Sequence, residues 1–350
     1  MWLSGGVDSG LIAGITAKEL GVKMDTFSII YPKTYNFFDE SERAKIISKE
    51  FNHNHQELEI NPVHIFDNFD EILYYQEEWI GNPASLLYYN LSKKTKEHVK
   101  VVLSGLGGDE VFGGYNRYRA LEMASMLSTW PKTLKQLAKK IIGFLPQTRL
   151  NSLGNYGRAL NKIFNALDTD DHNTYIRIIS YWENNNVEQL VNLMEKTGDI
   201  MNDVMRFDIK NYMQDDLLLL SDKMSMAHGL ELRVPLIDNK ILEAAFSTNA
   251  TNRMGRTGKK EFLTNWFKEC IGDKLQQGRK MGFSIPVEPF LKKIGKEELN
   301  HLIKKSEIKE FVAQTTIDKI LNEFFSQGKD HVNEIYALLV LAKWRITRNK

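Results

Sequence analysis

The chain has 350 residues, 42% hydrophobic and 26% charged, with 46 basic against 45 acidic side chains and a formal net charge of +1. This is the composition of an ordinary globular protein with enough chain for one large domain or two modest ones, and it lacks the basic excess that a nucleic-acid partner demands. A single cysteine, Cys270, excludes an internal disulfide framework or cysteine metal cage; no apolar run of about 18 residues signals a membrane span, and no basic-then-apolar leader opens the chain, so cytoplasm is the default compartment.

Leu3 runs directly into a glycine loop, Ser4-Gly5-Gly6-Val7-Asp8-Ser9. Such a loop belongs after a strand, and only two or three residues precede it, which gives the front of the chain a clipped look. Leu11, Ile12, Ile15, Ala17 and Leu20 then lay out a helical stripe that Gly21 ends. Thr26 to Ile30 reads as a strand closed by Pro32. Asp39-Glu40-Ser41 opens a second helix running to about Phe51, with acids in its first turn as the helix dipole prefers. Gln56 to Ile60 alternates as a strand; residues 63–79 and 84–97 read as helices; Val99 to Leu103 is a compact apolar strand. A second glycine-rich loop follows, Ser104 to Gly114, and from about residue 119 helical patterns dominate to the end. The alternation of strand and helix predicts an α/β fold, a parallel sheet with helices on both faces, followed by a largely helical C-terminal part.

In a parallel sheet ligands sit beyond the carboxyl ends of the strands. In the first loop, paired glycines let backbone approach a ligand closely, and the helix start behind them offers N–H donors and partial positive charge suited to phosphate. Ser4 and Ser9 add hydroxyls. Asp8 repels phosphate directly, so its sensible task is to hold Mg²⁺. The motif is neither a Walker loop, since no lysine follows until Lys18, nor a dinucleotide fingerprint, since the third glycine is missing. The alternative is a serine-glycine turn that merely caps a helix. The second loop, Ser104-Gly105-Leu106-Gly107-Gly108-Asp109-Glu110, echoes the first: both begin Leu-Ser-Gly after an apolar strand and both carry an aspartate. Two such loops on neighbouring strands face one crevice, with Asp8 and Asp109 sharing Mg²⁺ on a departing pyrophosphate. His53 and His55 raise the thought of a metal pair, but with no third ligand nearby the structural reading is preferred.

Leu3 to Ser9, Val101 to Tyr115, Tyr212 to Asp238 and Arg279 to Pro286 together resemble the synthetase domain of glutamine-hydrolysing asparagine synthetases. The first hexapeptide alone is shared across the wider PP-loop ATP pyrophosphatases, with their adenine nucleotide alpha hydrolase-like fold. The resemblance implies ATP and Mg²⁺ as cofactors and the adenylation of a carboxylate, aspartate in the type enzyme, with pyrophosphate released and ammonia then displacing AMP. It implies a nucleotide-binding core over 1–118 and a mainly helical part over 119–350 completing one continuous synthetase domain. By family position Asp8 and Asp109 hold Mg²⁺, Lys280 neutralises transition-state charge and Glu231 sits near the acyl-adenylate. Leu3, Ile29, Ser104 and Gly105 line the adenosine, with Ser4, Gly5, Gly6 and Ser9 on the phosphates. The bland readings are a surface lysine at Lys280, a helix-end salt bridge at Glu231 and a structural ion pair between Arg233 and Asp238.

Two positions depart from the family pattern. Residue 2 is Trp2, where the full-length family exposes a cysteine nucleophile on an N-terminal glutaminase domain; the expectation is free ammonia or a separate glutaminase domain or subunit as nitrogen source. Leu106 stands where the best-known members carry an acid, which leaves Glu110 or Glu231 as substitutes, ammonia that arrives already neutral, or an acceptor carboxylate other than aspartate, such as a sugar acid. A non-catalytic ATP-binding fragment is the reading from another class. No nucleic acid or membrane is expected as partner, and a homo-oligomer is left open.

Overall fold

The computed structural model describes residues 1–32, 39–61, 64–145, 152–168, 170–182, 187–255, 260–271, 285 and 287–348. The chain divides into two compact units, one built from Met1–Gly114 and Asp208–Pro286, the other from Tyr115–Phe207 and Val287–Lys350.

The first unit carries all the described strands. Helix α1 (Val7–Lys18) leads to β1 (Asp25–Ile30), α2 (Ser41–Glu50), β2 (Asn54–Glu59), α3 (Phe69–Gln76), α4 (Ala84–Thr95), β3 (Val101–Leu103) and the short α5 (Gly108–Phe112). Strand β4, Glu231–Arg233, enters much later in the chain. β1 pairs with β2 and β3 with β4, both in parallel. The expected strand ahead of the first loop is supplied by the three residues available. Trp2 bridges Phe27 in parallel, the Leu3 N–H donates to the Phe27 carbonyl at 2.8 Å, and on the other side the Trp2 N–H donates to the Leu103 carbonyl at 2.9 Å. Residues 1–3 thereby join the two strand pairs, in the order β2, β1, 1–3, β3, β4, and Ser4 leaves the sheet at its carboxyl edge.

Strand alternation sends Trp2 and Leu3 to opposite faces. Trp2 stacks on Tyr88 of α4 at 6.1 Å and donates from Nε1 to Thr95 Oγ1 at 2.9 Å. Leu3 joins a core with Leu11 and Ile12 of α1, Ile47 of α2, and Leu263 and Phe267 of the helix Glu261–Ile271. Helices thus cover both faces, as the strand-helix alternation predicts. α3 is shorter than the expected 63–79, and residues 62–63 lie outside the described set. β4 went unanticipated, because a three-residue strand is too short to show alternation. Residues Ile209–Leu218 wind as a π-helix that runs into the helix Leu219–Met226, a geometry uncommon outside functional regions.

His53 and His55 are structural. The Met24 N–H donates to His53 Nδ1 at 3.2 Å, so Nε2 carries the proton and donates to the Ala13 carbonyl at 3.0 Å. His55 places Nδ1 3.0 Å from Thr26 Oγ1 and Nε2 3.1 Å from Ser28 Oγ, on the neighbouring strand. Arg233 and Asp238 do not form the ion pair the sequence offered. Arg233 Nε donates to Glu231 Oε1 at 2.8 Å, and Asp238 caps the helix Asn239–Phe246 by accepting the Lys240 N–H at 2.9 Å. A cap aspartate one residue before a helix satisfies an orphan N–H that no arginine can serve.

The second unit is helical in its described residues. Tyr118 and Tyr175 stack at 6.3 Å in its interior, from the helices Asn116–Ser128 and Asp171–Ile179. At the head of Val332–Arg348, His331 Nε2 meets Glu323 Oε2 at 2.8 Å and Nδ1 meets Glu334 Oε1 at 3.1 Å. The Glu334 bond raises its pKa above the ordinary 6.5; burial opposes and the Glu323 bond adds. A raised folded-state pKa contributes stability that is complete below 6.5 and is lost as pH climbs through the folded value. Thermal midpoints measured across neutral pH are therefore expected to fall as pH rises, and His331→Gln is expected to flatten that decline; an equal slope in the variant would contradict it.

Candidate active site

The first loop is organised from its own residues. Gly5 adopts φ 75°, and a Cβ there would lie 2.7 Å from Arg43 Cβ, so the loop tucks against α2 in a conformation open to glycine. Ser4 and Ser9 hold each other, with Oγ atoms 3.2 Å apart and the Ser4 N–H donating to Ser9 Oγ at 3.2 Å. The Gly6 N–H donates to Ser4 Oγ at 3.3 Å. α1 then begins at Val7 with Asp8 in its first turn.

The second loop leaves β3 beside it. The Ser104 N–H donates to the Arg233 carbonyl at 2.9 Å, tying the loop to β4, and the Leu106 N–H donates to Ser104 Oγ at 3.3 Å. Glycines bring this loop hard against the first one. A Cβ on Gly105 would lie 2.8 Å from the Ser9 nitrogen, and one on Gly108 only 2.4 Å from Asp8 Oδ1. Asp109 sits in the first turn of α5. The far end of α5 is clasped by buried Arg253, whose Nε donates to the Val111 carbonyl at 3.0 Å while Nη1 donates to the Thr248 carbonyl at 2.7 Å.

Between the two aspartates stands Lys260, a residue the sequence reading passed over. Its Nζ donates to Asp8 Oδ2 at 2.5 Å and lies 2.8 Å from Asp109 Oδ1. The lysine side chain is 6% exposed, those of Asp8 and Asp109 12% and 17%. Burial by itself lowers a lysine pKa; Asp8 and then Asp109 outweigh it and hold the ammonium above its ordinary 10.5, so Lys260 is charged at any working pH. The helix Glu261–Ile271 delivers it. A Cβ on Gly10 would meet the Phe267 ring at 2.7 Å, so this helix packs directly on α1. Lys18 donates to the Cys270 carbonyl at the far end of the pair, which leaves both helix starts at the aspartates.

The remaining expected residues separate into three groups. Leu3, Ile29, Ser104 and Gly105 lie at or just beyond the carboxyl edge of the sheet, Leu3 and Ser104 buried and Ile29 half-buried. Glu231 opens β4 opposite Val101, so it stands two residues, about 7 Å, back from that edge. It is exposed and paired with Arg233. Glu110 is 1% exposed and coupled electrostatically to the Tyr88 hydroxyl, shut away from solvent. Lys280, with its neighbours Arg279 and Met281 to Ser284, lies outside the described residues.

Two carboxylates aimed together from two loops supply hard oxygen donors of the kind Mg²⁺ takes one or two of, leaving its other positions to water and substrate phosphate. No third histidine, cysteine, aspartate or glutamate joins them into a metal-holding group among the described residues. The pair fits a metal that arrives with a phosphorylated ligand, provided Lys260 yields the oxygens it now holds.

The parallel α/β unit presents paired glycine loops and an acidic pair at the carboxyl edge of its sheet, where ligands of such sheets sit. The asparagine synthase family model matches residues 1–346, and the chain belongs to that family. It is 27% identical over 98% of its length to asparagine synthetase [glutamine-hydrolyzing] 1 of Bacillus subtilis, covering 55% of that protein. It is 25% identical, again over 98% of its length, to a putative asparagine synthetase [glutamine-hydrolyzing] of Mycobacterium bovis, covering 53%. A shorter stretch of 125 residues is 33% identical to asparagine synthetase [glutamine-hydrolyzing] 2 of Oryza sativa. The chain thus spans about half the length of the curated relatives it matches along nearly its whole length. No helix among the described residues is long and apolar enough to cross a membrane.

The contact between the loops makes a direct test. Gly108→Ala forces its methyl into the Asp8 carboxylate and is expected to lower stability by about 1–3 kcal/mol, an overpacking cost. Gly143→Ala, at a helical position with nothing within 4 Å of the added atom, is expected to leave stability unchanged or raise it. Denaturant unfolding of both variants checks the contrast; equal effects would mean the loops are not in contact.

Proposed function

We propose that this chain carries the synthetase half of an asparagine synthetase-like reaction: ATP-dependent adenylation of a carboxylate, aspartate first among the candidates, followed by amide formation with ammonia. The observation that supports it most is the meeting of Asp8 and Asp109, from two Leu-Ser-Gly loops, around one buried lysine. Membership of the asparagine synthase family supports the same reading.

In this reading a carboxylate oxygen attacks the α-phosphorus of ATP, the bond to the bridging oxygen of the β-phosphate breaks, and pyrophosphate departs. Ammonia then attacks the acyl carbon with its lone pair, the acyl carbon–oxygen bond to AMP breaks, and the nitrogen sheds a proton. Mg²⁺, when bound, supplies positive charge to the departing pyrophosphate, and Asp8 and Asp109 are the residues that would hold it. Ser4, Gly5, Gly6 and Ser9 line the phosphates, where the start of α1 lends partial positive charge. Leu3, Ile29, Ser104 and Gly105 border the adenosine. By family resemblance Lys280 neutralises charge in the transition state, and Glu231 serves the acyl-adenylate once it leaves Arg233. The catalytic unit is one synthetase domain, in which the nucleotide-binding core expected over 1–118 is completed by β4 and the helix Glu261–Ile271 from the part expected over 119–350.

Glu110 is too buried to take a proton from incoming ammonia. With Leu106 apolar, either Glu231 takes the proton or the nitrogen arrives as neutral ammonia, free or from a glutaminase domain or subunit. The apolar side chain at 106 also favours testing other acceptors, sugar acids among them. ATP–pyrophosphate exchange is expected to require a carboxylate substrate, with aspartate assayed first. Asp8→Ala and Asp109→Ala are each expected to reduce exchange at least about 100-fold, the scale on which lost transition-state charge stabilisation is felt. If no carboxylate stimulates exchange, the reading fails, and a non-catalytic nucleotide-binding role takes its place.

A further inference from the structure

Lys260 is costly where it stands, and the cost points to a task. Its backbone has φ 54°, the left-handed region, which disfavours any residue with a Cβ by roughly 1 kcal/mol or more. Its carbonyl accepts the Thr264 N–H at 2.8 Å, which makes it the first, capping residue of the helix Glu261–Ile271. Asparagine, aspartate, serine and threonine favour that position, and a cation there opposes the helix dipole. Glycines seal the space around it: a Cβ on Gly114 would lie 1.8 Å from Asp109 Oδ1 and 2.1 Å from Lys260 Cε.

We propose that the Lys260 ammonium is a built-in counter-ion that occupies, in the nucleotide-free protein, the divalent-cation position between Asp8 and Asp109, so that metal and nucleotide load only when Lys260 lets go of both carboxylates. The proposal rests on the reading that these two aspartates receive the metal. A divalent ion bonds oxygen at about 2.0–2.1 Å. It cannot take the position between Asp8 Oδ2 and Asp109 Oδ1 while an ammonium stands there, 2.5 and 2.8 Å from them. Charge sets the direction of exchange. Two carboxylates and one ammonium leave one negative charge over, whereas a divalent ion in the ammonium's place brings the sum to zero. Metal alone must still displace a buried, doubly bonded cation, and a nucleotide adds the phosphate oxygens that complete the metal's coordination. The site then stays closed to free metal and opens to the metal–nucleotide complex.

The test uses Mn²⁺ as probe, its free fraction read by electron paramagnetic resonance on the full chain. Without nucleotide, Lys260→Met is expected to bind Mn²⁺ at least 10-fold more tightly than the parent protein, and adding Asp8→Asn to that variant is expected to cancel the gain. Lys260→Gln, which keeps a hydrogen-bonding head, is expected to behave alike and serves if circular dichroism shows the methionine variant unfolded. Mn²⁺ binding by either folded variant that is no tighter than the parent's overturns the proposal. In the unaltered protein, the lysine ammonium signal in nitrogen-15 spectra that Lys260→Arg removes is expected to shift on adding Mg²⁺ with ATP; an unmoved signal at saturating nucleotide also overturns it. The underlying reading has its own readout. If Asp8→Asn in the otherwise unaltered protein leaves Mn²⁺–ATP binding unchanged, the metal site is elsewhere, whatever Lys260 does.

Discussion

Two carboxylates held close together in a mostly buried place repel each other, and each loses hydration that water would have supplied. Asp8 and Asp109 tolerate this because Lys260 lies between them, within 2.8 Å of both. Removing one partner from such a buried cluster costs about 3–5 kcal/mol, because the remaining charges stay desolvated. The approach of the two glycine loops depends on this balance. So does the seating of the helix Glu261–Ile271, which begins at an otherwise unfavourable residue and runs beside α1.

The sheet and the glycines make the balance geometrically attainable. Residues 1–3 connect the strand pairs β1–β2 and β3–β4, so Ser4 and Ser104 leave neighbouring positions at one edge. Backbone without Cβ atoms at Gly105, Gly108 and Gly114 lets the second loop touch Asp8, Ser9 and Lys260. Gly10 does the same for the packing of the lysine-bearing helix on α1. Arg253 holds the far end of α5 through backbone carbonyls, and Asp109 sits at its near end. The chemistry is thereby placed on short, braced segments, where small errors in position would otherwise be expensive.

Much of this was legible in the sequence because it is local. Apolar spacing announced α1 and α2, a β-branched-rich run announced β1, and the repeated Leu-Ser-Gly stretches announced two loops at one sheet edge. Lys260 was not legible. It follows Lys259 in a chain with 46 basic residues, and its significance comes from a contact 252 positions away. β4 was hidden for a related reason: Glu231, Leu232 and Arg233 form a strand only because β3 is there to pair with them. The suggested Arg233–Asp238 pair failed because a helix start nearby had a stronger claim on the aspartate. The likeness of the two loops concealed a difference of role as well. The first leads into a 12-residue helix, whereas the second turns through α5, a helix of 5 residues pinned by Arg253.

The central claim is that these loops and their charges direct attack by a carboxylate on the α-phosphorus of ATP. Labelling the carboxylate decides it. Turnover with aspartate carrying oxygen-18 in its side-chain carboxylate, read by phosphorus-31 NMR or mass spectrometry, is expected to deliver one labelled oxygen to AMP and none to pyrophosphate. Label found instead in inorganic phosphate, with ADP as the nucleotide product, would contradict the account, because the carboxylate would then have attacked the γ-phosphorus.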